Sequence, residues 1–351
     1  MRVNNRTTDE SALLSTGMVS RRRLPLNFDE RNRKLFNHEL ERTIPETRFL
    51  ALNNVRISPD GMLFRGAQIL PESFAFPSNV KLWRRRSLLK FFATNYLQRR
   101  TRSIERDVLW ITDDWSNGYF HWLTDALSRL YLMRDRFDDF LLLLPADYAT
   151  REFVTSSLSC FGVESFEFIR PEEVVLCRKL FMPGHTAPSG HYNHEIICGV
   201  RSLLLQALGD RADKETSERV YLSRGRARKR RIENEDEVVE VLRQSGFQII
   251  YAEDLTFEQQ VKLCSRTRYL VSNHGAGLTN MLFMPDGGSV LELRHQTDAT
   301  NNCYFTLASA LNLNYYYQTC RPANNNQDPH SANLIVDLNS LASNLSLLLQ
   351  N

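Results

Sequence analysis

One stretch limits what this chain can fold into: Tyr269-Leu-Val-Ser-Asn-His-Gly-Ala-Gly-Leu-Thr-Asn-Met-Leu-Phe-Met-Pro285, followed by Gly287-Gly-Ser-Val-Leu-Glu-Leu-Arg294. Tyr269 to Ser272 reads as a short apolar strand, Asn273 to Gly277 as a turn of small residues, and Leu278 to Met284 as about two turns of helix. Pro285 ends that helix and Ser289 to Leu293 gives another strand. A strand, a glycine-flanked turn and a helix start gather backbone N–H groups and the positive end of a helix dipole in one place, which suits a phosphate. Gly275 and Gly277, lacking Cβ atoms, let a ligand come close to the backbone. The glycines alone would justify only a tight turn between buried elements. The turn also carries Asn273, His274, Thr279 and Asn280, and polar side chains that dense between apolar strands are costly to bury unless something binds them. A ligand site is the better reading.

Asn273-His-Gly-Ala-Gly-Leu-Thr-Asn280, then Phe283-Met-Pro285 and Val290-Leu-Glu292, closely resembles the motif of glycosyltransferase family 61. The resemblance implies an α/β protein of GT-B type, in which two Rossmann-like domains face a cleft. It also implies inverting transfer of a sugar from a nucleotide sugar, a UDP-sugar being expected. The similarity runs from about Asp107 to Arg294 and is strongest in its last third.

A chain of 351 residues is long enough for two domains with real cores. Its net charge of +3 argues neither for nor against an anionic partner. The six cysteines include no C-x-x-C pair and several sit in apolar runs, so free buried thiols and a reducing compartment are expected. The first residues form no apolar leader and no run of about twenty apolar residues occurs, so a cytoplasmic enzyme is expected, with at most peripheral contact with the inner membrane. Arg21-Arg22-Arg23 would make that contact, although a solvated charge run is the simpler explanation.

In chain order, residues 1–100 read as a polar tail and a β-rich extension, with hairpin segments around Pro59-Asp60-Gly61 and a basic segment, Val80 to Arg102, that begins as a strand and turns helical. Strands then alternate with helices, giving a Rossmann-like acceptor domain over 101–209 and a Rossmann-like donor domain over 216–322. Gly209 to Glu218 is the linker candidate. In the second domain Asn234 with Glu237, and Thr256 with Gln259, have capping-box spacing. An apolar-periodic helix over 331–351 ends the chain; in GT-B folds such a helix crosses back to the first domain.

Three further clusters bear on chemistry. His121 and Asp125, in Asn117-Gly-Tyr-Phe-His-Trp-Leu-Thr-Asp125, fall on one face of a helix that starts at the carboxyl end of a strand. They suit a general base and its orienting partner, with imidazole the natural base near neutrality; a solvent-facing polar pair on a helix capped by Asn117 is the alternative. The resemblance also carries an Asn, His and Asp at this helix start. Ser223-Arg-Gly-Arg-Ala-Arg-Lys-Arg-Arg-Ile-Glu-Asn-Glu235 is the most basic run. Without interleaved aromatics it is not expected to bind nucleic acid. By the resemblance Arg224 meets the donor diphosphate, and Arg231, Asn234 and Glu235 shape the loop, the other arginines being solvated.

Glu292 follows the glycine turn and either accepts from a ribose diol or pairs with Arg294 at the surface. Glu258-Gln-Gln260 resembles a family Glu-Gln pair that reaches the nucleotide or caps the helix. His185, His191 and His194 share one loop with only Glu195 among nearby ligand types, so no metal site is expected. The expected donor residues are therefore Arg224, Asn234, Glu235, Asn273, His274, Gly275, Ala276, Gly277, Thr279, Asn280 and Glu292. His121 and Asp125 are the catalytic pair, no obligatory metal or cofactor is needed, and the acceptor is a glycan or lipid-linked glycan, as in surface or capsular polysaccharide synthesis. A different sugar-nucleotide enzyme, an epimerase or phosphorylase, is the rival reading.

Overall fold

A computed structural model describes residues 10–83, 88–209, 218–324 and 327–350. The chain divides into two compact units, one comprising Met1–Gly17 with Pro45–Ser189 and the other Met18–Ile44 with Gly190–Asn351.

Among the described residues the first unit has a nine-stranded mixed sheet. Phe166–Phe168, Leu141–Leu144, Val108–Leu109 and Glu173–Pro183 run parallel, and Arg100–Ile104 pairs parallel with the last of these. Thr47–Ile57 joins Glu173–Pro183 antiparallel, followed by the short strands Leu63–Arg65 and Gln68–Ile69, with Glu10–Ser15 on its own flank. The four leucines of Leu141–Leu144 are all buried, as a central strand covered on both faces requires. Val55, Leu63, Trp110, Leu143, Val175 and Leu180 share the core, so the strands expected as a separate extension belong to this unit's own sheet.

Two local expectations are corrected here. Val80 to Arg102 starts helical (Val80–Trp83, Leu88–Ala93) and ends as a strand, because Arg100–Ile104 finds a parallel partner some seventy residues later. Arg102 on that strand pairs with Glu173 at 3.0 Å and Glu167 at 3.0 Å. The described part of the N-terminal tail is likewise ordered into strands, Glu10–Ser15 and Met18–Arg21. Arg22 is no solvated cation: it is buried, donating to the Glu39 carbonyl and lying 3.6 Å from the Glu39 carboxylate.

The second unit has a six-stranded sheet in the order Gln248–Tyr251, Glu218–Ser223, Thr267–Asn273, Ser289–His295, Asn314–Pro322, Leu334–Ile335. The first five are parallel. Numbered by sequence they run 2-1-3-4-5, the doubly wound order of flavodoxin-like sheets. The Thr256/Gln259 capping box is present and starts the helix Phe257–Arg266. The Asn234/Glu237 box is not: Asn234 instead binds the backbone of Val336 in both directions, at 2.9 and 3.0 Å. The last helix, Leu338–Leu349, packs Leu341, Leu345 and Leu348 into this unit's own core with Tyr316 and Leu291. The arm 18–44 contributes Phe36, fully buried edge-on against Phe305, Tyr315 and Tyr317. Most of the expected linker, residues 210–217, lies outside the described residues.

Candidate functional site

In a doubly wound sheet, ligands bind beyond the carboxyl ends of the strands where the strand order reverses. Here the reversal falls between Glu218–Ser223 and Thr267–Asn273, which end at Arg224 and at His274. The glycine turn and the basic loop are thus brought side by side by topology alone.

Gly275 has an extended backbone, so its lack of a side chain matters for space: a Cβ there would lie 2.5 Å from Cζ of Arg224. The close approach anticipated for a ligand is made by the Arg224 guanidinium. Ala276 opens a 3₁₀ helix, Ala276–Phe283, in place of the expected α-turns, with Gly277 on its first turn. Asn273 donates to the carbonyl of Arg230, the one residue of the basic loop with a left-handed φ of 59°, and its own Oδ1 is buried without a partner. Thr279 is buried beside the Tyr304 hydroxyl, and Asn280 donates to Gln260 at 3.0 Å. Both brace the turn from beneath. Glu258, by contrast, faces solvent and pairs with Lys262, while Gln259 caps its helix.

Glu235 underpins the loop, accepting from Tyr221 at 2.8 Å and Ser223 at 2.7 Å, while the Ser223 hydroxyl accepts from the Gly225 amide. Asn234 ties the loop's far end to Val336. Both side chains make hydrogen bonds within the chain.

Glu292 corrects both sequence readings. It is 0% exposed, one carboxylate oxygen is hydrogen-bonded to Nδ1 of His274, and the other accepts from the Tyr315 hydroxyl. Burial alone would raise this carboxyl; the neighbouring His274, then Arg294 and Tyr315, more than offset that and hold it below the usual carboxylate range. Arg294 is also buried and donates to the carbonyl of Asp298 at 2.7 Å. Glu292 thus fixes the ring of His274 through Nδ1.

Arg230 was hidden in the basic run. With His274, Arg294 and Asp298 it lines one small enclosed cavity. Neither Arg224 nor Arg230 has a carboxylate within ion-pair distance among the described residues, and the Nε of each is buried without a partner. Burial first, and then the adjacent Arg230, lower the pKa of Arg224. Two half-buried guanidiniums held near one another with no anion are unfavourable unless an anion arrives. The signal in the sequence was only Asn273, whose partner is forty-three residues away.

In the first unit His121 and Asp125 do meet: Nδ1 lies 2.9 Å from Oδ2 of Asp125. Ser189 donates to the same oxygen at 2.8 Å and Thr124 to the other at 3.1 Å. The helix begins at Tyr119 with Gly118, not Asn117, at its cap, and widens to a π-helix over Trp122–Ala126. Such bulges are common at functional sites. A second ionic cluster lies nearby in the fold. Asp113 sits 3.4 Å from Arg129 and 2.9 Å from His185, all but the last fully inside. Burial would raise Asp113, but His185 and Arg129 together hold it far below the ordinary value. His191 faces Glu39 and His194 binds the Ala310 carbonyl, so the three loop histidines serve separate partners.

The model of the family Glycosyltransferase 61 matches residues 119–291, a stretch holding His121, Asp125 and the whole glycine turn. Among curated proteins, the EGF domain-specific O-linked N-acetylglucosamine transferase of Drosophila melanogaster is 37% identical over 98 residues, 27% of this chain and 18% of that protein. Its namesake in Mus musculus is 35% identical over 91 residues, 24% of this chain and 17% of that protein. The aligned stretch spans less than a fifth of the length of these relatives.

Proposed function

We propose that this chain is an inverting glycosyltransferase of GT-B type that moves a sugar from a nucleotide sugar, a UDP-sugar, to a hydroxyl of a glycan acceptor. The observation that carries the reading is the pair Arg224 and Arg230, uncompensated and partly buried at the switch point beside His274. Attack by an acceptor hydroxyl at the anomeric carbon breaks the bond to the diphosphate, and the leaving group gains negative charge. Two guanidiniums already in place stabilise that charge without reorganisation. His274, oriented by Glu292, offers Nε2 to a phosphate or sugar oxygen.

His121 takes the acceptor proton at Nε2, because its Nδ1 is engaged by Asp125. Asp125 is itself fixed by Ser189 and Thr124 and steadies the imidazolium that forms. In this reading cations and donors of the chain serve the diphosphate and no divalent ion is obligatory. A place in capsular or other surface polysaccharide synthesis, in the cytoplasm, is part of the same proposal; it is supported by six unbridged cysteines, which suit a reducing compartment. No helix among the described residues is long and apolar enough to cross a membrane. Calorimetric titration with UDP in EDTA tests the reading: saturable binding is expected, and absence of binding that manganese restores would overturn the metal-free form.

A further inference from the structure

The charged groups around His121 account for a proton acceptor but not for what brings a hydroxyl to it. Among the described residues three large aromatic side chains are classed as exposed: Phe76 at 41%, Tyr96 at 39% and Trp115 at 39%. Two of the three are in contact. Phe76 and Trp115 pack edge to face at 4.9 Å, and the Trp115 ring lies 5.0 Å from the imidazole of His121. Leaving an indole this open costs hydrophobic stabilisation, so its position beside His121 calls for an occupant.

The platform is also held rigid. Asp114 accepts from the Ala75 amide at 2.9 Å, and its own amide donates to Ser73 at 3.0 Å, which pins the Phe76 loop to the Trp115 loop. The Trp115 amide donates to Asp113 at 3.0 Å, so the buried Asp113–Arg129–His185 cluster fixes the indole from below. Only one oxygen of Asp114 is used in these contacts. Adjoining it is a cavity of about 410 Å³ whose walls include Asp114, Asn117, Arg99 and Tyr148. Of these walls, Tyr148 has an enclosed hydroxyl with no hydrogen-bond partner. Phe76 and Trp115 both precede the residues that match the family model, so the family match assigns them nothing.

We infer that Trp115 and Phe76 form the acceptor platform of this enzyme and that the acceptor they take is a sugar ring. A pyranose presents one face of C–H groups, which suits an aromatic surface, and a rim of hydroxyls, which suits a carboxylate, an amide and an unpartnered phenol. Asp114, next to Trp115 in the chain, and Asn117 and Tyr148, which line the same cavity as Asp114, supply those three groups. An acceptor that offered only a peptide hydroxyl would leave the carboxylate and phenol unused. The inference rests on the reading of His121 as the proton acceptor, and it names the class of molecule delivered to it.

The test uses simple methyl glycosides of common hexoses and N-acetylhexosamines as probes, with synthetic Ser- and Thr-bearing peptides as the other arm. Saturation-transfer NMR reads which ring protons lie against protein, and the difference in tryptophan fluorescence between the wild-type and Trp115→Phe proteins reads the indole. At least one glycoside is expected to bind saturably through its C–H face. Trp115→Ala should weaken it about tenfold, with Trp115→Phe intermediate, while thermal melts confirm folding. Asp114→Asn should weaken the same glycoside several-fold.

Glycoside affinity unchanged in Trp115→Ala, or binding by peptides and by no glycoside, overturns the inference. Titration with UDP on the same samples keeps the two proposals apart. UDP binding without any Trp115-dependent glycoside signal removes the platform alone, whereas loss of UDP binding with the glycoside signal intact removes the donor reading alone.

Discussion

The buried arginine of the first unit and the two basic-loop arginines of the second meet opposite conditions. Arg129 is wholly enclosed and answered from within: Asp113 neutralises it, His185 binds the same carboxylate, and the Pro183 carbonyl accepts its Nε at 2.8 Å. Arg224 and Arg230 are less deeply placed, yet no carboxylate meets either. The two sets differ in depth, and they differ also in compensation. A cation whose counter-ion is part of the chain holds the fold, and in the function proposed above a cation without one serves a ligand.

Breaking the compensated side should have the largest effect. Asp113→Ala leaves Arg129 charged and alone in the core, and is expected to destabilise the protein by about 3–5 kcal/mol in chemical denaturation. Because Asp113 titrates below its unfolded value, its contribution is present above about pH 4 and is lost as the pH falls through the folded value. Asp113→Asn should flatten the acid limb of the stability curve. Arg230→Ala should leave stability unchanged or slightly higher, since it removes a like-charge neighbour from Arg224. Equal destabilisation by both variants would erase the distinction.

Turnover is the next measure. His121→Ala and Asp125→Asn should lower transfer by about a hundredfold or more while UDP affinity stays near wild type. Ordinary rates in both would make the pair structural. On the uncompensated side, Arg224→Ala and Arg230→Ala should each weaken UDP by roughly ten- to hundredfold in calorimetry, the value of a charge-assisted bond. The smallest effect sharpens the contrast. Gly275→Ala intrudes on the Arg224 guanidinium, which is flexible enough to move. A several-fold loss of UDP affinity with little change in melting temperature is expected, and an unaltered affinity would show that Arg224 need not lie over the turn.

The strand–turn–strand at residues 267–295 was legible because its signals are local: apolar runs, glycines and a proline. So were the Thr256 capping box and the His121/Asp125 spacing, although nothing in the sequence announced the π-helix between them. What could not be read was set by distant partners. Asn234 has the right neighbours for a cap, but Val336, 102 residues on, wins its side chain. Arg230 looks like its basic neighbours until Asn273 takes its carbonyl. Glu292 reads as a ribose contact or a surface partner of Arg294 until Tyr315 and His274 occupy both oxygens. Phe76 and Trp115 lie thirty-nine positions apart, and each alone is an unremarked aromatic.

The segment 18–44 belongs to the second unit although the residues on either side of it belong to the first. Its Phe36 fills a place among Phe305, Tyr315 and Tyr317 that no residue after 190 occupies, and Asn27 bonds the backbone of Tyr317 at both ends, at 2.7 and 3.1 Å. The chain is therefore interlaced, and one cut cannot release either half. A recombination joint placed at residue 190 to graft a new nucleotide specificity would separate the incoming half from its own arm, and the chimera would inherit a foreign plug. If the second unit holds the donor site as proposed, its specificity changes by substitution within the loops more readily than by exchange of whole halves.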